Sequence, residues 1–160
     1  MRRNRSPFLG LALGAAAGAA GTTALNAVTY ADMALRGRPA SSTPETTVER
    51  MADLAHVSVP GDDAARGNRL TGLGALTGLA AGIGVGAALG ALRAAGWRPG
   101  TAALGMAATL TVLVASNGPM TVLRVTDPRT WSAGDWVSDV VPHAAYGAVT
   151  AWLLERLDPA

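Results

Sequence analysis

Between residues 70 and 92 the chain carries no charged side chain, and only Thr71 and Thr77 interrupt the apolar and glycine residues there. About 20 residues at roughly 1.5 Å each carry a helix across about 30 Å of hydrocarbon. A helix in a water-soluble core would show a polar face over that length. The stretch therefore reads as a transmembrane helix, and similar runs lie on either side of it.

Charge placement repeats the message. The 160 residues include 13 basic and 11 acidic ones, every basic residue an arginine. They fall almost entirely at the N-terminus, in 32–69, in the turn 93–98 and in 124–139. Mean hydropathy is only +0.27, which argues against a membrane protein until the alanines and glycines are considered. Both are nearly neutral in transfer and both suit helix contacts in lipid. Cysteine is absent, which removes disulfides, thiolate metal sites and thiol redox chemistry. A net charge of +2, dispersed as it is, gives no nucleic-acid footprint.

The expected architecture is all-α: one membrane domain of four spans at 8–31, 70–95, 101–123 and 132–157. A polar connection over 32–69 joins the first two. Within it Thr43-Pro44-Glu45 starts a short amphipathic helix over 44–57, with Thr43 at its cap; it lies on the membrane surface or packs on the bundle. Asn117-Gly118-Pro119 makes the third span kink or re-enter, and Pro142 kinks the fourth. Trp97, Trp131, Trp136 and Trp152 mark interfaces. Arg2, Arg3 and Arg5 before the first run also fit a secretory signal. That run is long for a signal and holds Asn26 and Thr29 late, so an uncleaved helix fits better. A twin-arginine signal fails because Arg5-Ser6-Pro7 displaces its apolar pair. The N-terminal arginines favour a cytoplasmic N-terminus in a bacterial inner membrane, although Arg residues are nearly balanced across the two sides.

Two patterns stand out. Gly74, Gly78, Gly82, Gly86 and Gly90 recur every four residues, as do Gly10, Gly14 and Gly18. Such stripes let backbones approach closely, either by pairing the first two spans or by joining this chain to a second copy or another membrane protein. The Gly82-Ile83-Gly84-Val85-Gly86-Ala87 likeness to a dinucleotide fingerprint lacks the strand that motif requires. The second pattern is Asp135, Asp139, His143, Tyr146 and Thr150, which share one face of the last span. Ionisable groups in a bilayer are costly unless paired or hydrated. This face suits a structural clasp, a proton or solute pathway using Asp139 and His143, or two ligands of a metal or catalytic site that needs more. Asn26, Tyr30 and Asn117 are candidates to extend it. No nucleophile or metalloprotease motif occurs, so no catalytic residue, metal or cofactor is assigned.

The stretches Tyr30-Ala31-Asp32-Met33-Ala34-Leu35-Arg36-Gly37-Arg38-Pro39-Ala40-Ser41 and Pro142-His143-Ala144-Ala145-Tyr146-Gly147, with the four-span layout, resemble small uncharacterised integral membrane proteins of high-GC bacteria. The resemblance implies a multi-pass membrane protein and brings no activity. The functional expectation is a non-enzymatic structural or accessory membrane component, with the bilayer as its first partner. The alternatives are a small proton-linked channel or transporter and, third, a membrane-embedded enzyme.

Overall fold

A computed structural model describes residues 6–158; the basic cluster of Arg2, Arg3 and Arg5 lies outside the described residues. The fold is all-α. Its helices are α1 (Pro7–Arg36), α2 (Thr43–Leu54), α3 (Asp63–Ala94), α4 (Thr101–Val122) and α5 (Ala133–Leu157), with a 3₁₀ turn at Pro128–Thr130 before α5. By length and composition three of them, α1, α3 and α4, are able to cross a membrane. α5 is not among the three: its polar face and charged ends dilute its apolar character.

The helices outrun the expected spans at one end because a hydrocarbon boundary is not a helix boundary. α1 continues past residue 31 to Arg36, where Asp32 pairs with Arg36 and Arg38. It then stops at Gly37, whose φ of 65° is left-handed. α3 begins seven residues before position 70, at Asp63, because Asp62 caps it by accepting from the Ala65 N–H at 2.8 Å. α2 corrects two expectations. It ends at Leu54 rather than 57, because His56 turns left-handed (φ 55°) and the Val57 N–H returns to the Ala52 carbonyl at 2.9 Å. Its cap position is Ser42, so Thr43 lies inside the first turn and makes no cap bond. α4 runs unbroken through Asn117-Gly118-Pro119 to Val122, and α5 runs through Pro142. α4 therefore does not stop early at Asn117-Gly118-Pro119.

α1 lies antiparallel along α3, and their glycines meet in order. A Cβ placed on Gly10 would come within 2.7 Å of the Gly90 carbonyl oxygen, and one on Gly18 within 2.5 Å of that of Gly82. One on Gly14 would strike Gly86. α5 packs on both α1 and α4, and α2 sits on the first turns of α3. The core is Ala17, Val85, Leu89, Leu104, Ala108, Val112, Tyr146, Ala151 and Leu154. The outside is equally apolar: Leu76, Leu110 and Val114 are 60, 57 and 71 % exposed. Such a band is a liability in water and is natural against lipid.

Candidate functional site

The polar face of α5 begins at its own cap. Ser132 accepts from the Asp135 N–H at 3.2 Å, and Asp135 accepts in return from the Ser132 N–H at 2.9 Å. Asp135 is thus used locally, as half of a capping box. Just inside, Arg36 of α1 donates to Ser138 at 2.9 Å and ties the end of α1 to the start of α5.

One turn deeper the face meets α4. Asn117 donates to Asp139 Oδ2 at 2.8 Å. His143 Nδ1 lies 2.6 Å from the Asp139 backbone carbonyl oxygen and 3.5 Å from Asp139 Oδ1. Its Nε2 lies 3.0 Å from Ser116 Oγ. A carbonyl oxygen only accepts, so Nδ1 carries the hydrogen, and the partners assign the tautomer. In the neutral ring Nε2 accepts the Ser116 proton. In the imidazolium Nε2 donates to Ser116 Oγ, whose proton then goes to the Val112 carbonyl at 2.9 Å. The site satisfies either state by turning the Ser116 hydroxyl, with no heavy atom moved. Asp139 and His143 side chains are 18 and 12 % exposed, so the pair sits at the edge of the packed interior.

Further along, the face leaves α4 and closes. Tyr146 is fully buried and donates to the Gly82 carbonyl of α3 at 2.6 Å. Thr150, also fully buried, reaches the Ala17 carbonyl of α1 at 3.5 Å. Gly21 makes room for both, and Gly147 lets α5 close on α4. A Cβ on Gly21 would meet the Tyr146 ring at 2.8 Å and also strike Thr150, and one on Gly147 would come within 2.5 Å of the Gly105 carbonyl oxygen.

The five expected residues therefore share a face but not a single site. Asp139 and His143 come together with Asn117; Tyr146 and Thr150 lie side by side against Gly21 but bond to different helices, and Asp135 serves the cap of α5. Tyr30 is 62 % exposed and takes no part in the cluster. Among the described residues no group of three or more His, Asp or Glu gathers in ligand geometry. Ser116 and Ser138 were not singled out in the sequence, although Ser116-Asn117 is a polar doublet inside an apolar span. Of the glycines, six lie on the α1–α3 seam. Gly74 instead abuts Pro44 of α2, and Gly78 faces open space.

Protein-family models, curated proteins and solved structures all return no match to this chain.

A second polar cluster, at the opposite end, escaped the sequence reading. Arg93 of α3 and Asp158 after α5 are 2 and 5 % exposed at their side chains and lie 3.5 Å apart. Arg93 Nη2 also donates to the Asp158 carbonyl at 2.7 Å, and Arg98 donates to the carboxylate at 3.0 Å. The partners are 65 residues apart, so no local pattern could reveal them.

Proposed function

We propose that this chain is a multi-pass membrane protein of structural or accessory role, held together by close glycine contacts and by a polar clasp along α5. The observation that carries the reading is the fate of the α5 polar groups. Asp139 and His143 bind α4, Tyr146 binds α3 and Thr150 binds α1. One helix thus hydrogen-bonds to each of the other three long helices, and the line ends at two side chains with no solvent exposure. A clasp needs those contacts; a through-going pathway needs water beyond His143. The composition and the arginine-rich N-terminus support a bacterial inner membrane with the N-terminus inside.

The test separates packing from chemistry. Gly86→Leu should abolish the folded, detergent-stable chain, because its side chain would enter the Gly14–Gly18 backbone. His143→Ala should leave the chain folded and inserted. A His143→Ala variant that inserts normally but collapses a proton flux measured in proteoliposomes would replace this reading with the proton-linked one.

A further inference from the structure

A groove of about 640 Å³ opens between α2, the segment after it and the first turns of α3. Its walls are almost wholly apolar, with Val48, Met51, Val57, Leu73 and Leu76 prominent. Met51, Val57 and Leu76 are at least half exposed there. At its mouth stands Arg69, itself exposed. One guanidinium nitrogen, Nη1, donates to the Pro60 carbonyl; the other N–H groups meet no acceptor among the described residues. Beside the groove, and sharing Ala52, Val57, Ser58 and Val59 with it, lies a small polar recess bounded by Glu49, Asp53 and Arg66. Glu49 is paired with Arg66, and Asp53, exposed and without a side-chain hydrogen bond among the described residues, also faces Arg66 through space; two acids against one base leave the recess acidic.

The depth of these groups matters. Arg69 is the last charge before the uncharged run of α3. At about 1.5 Å per residue, Leu73 lies roughly 6 Å and Leu76 roughly 10 Å beyond it along the helix. If α3 spans a bilayer, the groove begins at headgroup level and descends into hydrocarbon. Its occupant then needs an apolar tail, an anion at Arg69 and a cation beside Asp53. A sterol would leave Arg69 unused, and a purely anionic lipid would meet the Asp53 and Asp62–Asp63 carboxylates.

We propose that this groove holds one glycerophospholipid with an amine-bearing zwitterionic headgroup: an acyl chain between α2 and α3, the phosphate on Arg69 and the ammonium on Asp53. The site rests on the membrane reading above and gives it a specific lipid partner. Arginine suits a phosphate because its fork of donors matches the oxygens.

Native mass spectrometry of the full chain in detergent, titrated with phosphatidylethanolamine and separately with phosphatidylglycerol, tests it. One bound phosphatidylethanolamine is expected, in preference to phosphatidylglycerol. Arg69→Ala should weaken it about tenfold, the scale of one charged hydrogen bond, and Asp53→Asn should erase the headgroup preference. Gly72 lines the groove and faces open space, so Gly72→Trp should fill the groove without disturbing the fold and displace the lipid. Gly84 also faces open space and lies outside the groove, so Gly84→Trp should bind as the wild type does. Unchanged binding in Gly72→Trp overturns the proposal, as does equal binding of the two lipids. Chain-to-chain cross-linking through a cysteine at position 76 would also overturn it, by showing that a second copy covers the groove. Release of the chain from membranes by alkaline carbonate would instead sink the membrane reading itself.

Discussion

Close approach in this protein is decided residue by residue. Gly86 and Gly84 are two positions apart on α3, yet a Cβ on Gly86 would sit 2.5 Å from the Gly18 Cα, whereas one on Gly84 meets nothing within 4 Å. Gly86→Ala should therefore destabilise by about 1–3 kcal/mol, the usual range for overpacking, and Gly84→Ala should be neutral or slightly stabilising. Unfolding in mixed detergent micelles measures both. Tyr146→Phe removes only the hydroxyl bond to the Gly82 carbonyl and should cost about 1 kcal/mol or less. The same comparison shows what the sequence could and could not tell. The four-residue glycine register was plain, but its partners were not. Each four-residue step turns a straight helix by about 400°, so the stripe drifts roughly 40° per step. Gly82, Gly86 and Gly90 stay within reach of α1; by Gly78 and Gly74 the stripe has rotated away, toward open space and then α2. Gly21 breaks the register of α1 by a step of three, which turns it back toward α5 and its Tyr146.

At the level of elements, ends were harder to read than middles. The uncharged centres of α1, α3 and α4 were legible because lipid demands them. The charged ends were not, since a helix continues past the hydrocarbon wherever a cap or an ion pair permits. The 3₁₀ turn before α5 gives a pH-dependent case outside the spans. The Arg129 side chain, then its backbone N–H, hold the Asp127 carboxyl below its ordinary value of 3.8. A folded-state pKa below the unfolded one contributes fully above the unfolded value, and that contribution fades as pH falls through the folded one. Exchange protection at Arg129 and Thr130, corrected for intrinsic rates, should hold above that value and fall below it. Asp127→Asn should show no such step. The buried cluster joining α3 to the end of α5 behaves differently. Asp158→Ala leaves Arg93 charged and buried and should cost about 3–5 kcal/mol. Arg93→Met combined with Asp158→Leu should recover much of the loss, read by the same micelle unfolding.

For the whole molecule, the polar face of α5 was visible in the sequence because its five residues fall on one side of a helix. Its division among partners was not, because each level of α5 faces a different neighbour: α4 at Asp139 and His143, α3 at Tyr146, α1 at Thr150. That division makes α5 a strut that ties the bundle together while giving up apolar character. On the clasp reading the interior beyond His143, where Tyr146 and Thr150 have no solvent exposure, should be dry. The native absence of cysteine permits a clean measurement of this. Single cysteines at positions 139, 143 and 150, with an exposed control at 62, are labelled in intact membranes by a membrane-impermeant thiol reagent from each side. The account predicts strong labelling at 62 and protection at 143 and 150 from both sides. Labelling that reaches 150 would mean that water enters past Tyr146, and the clasp would have to give way to a pathway.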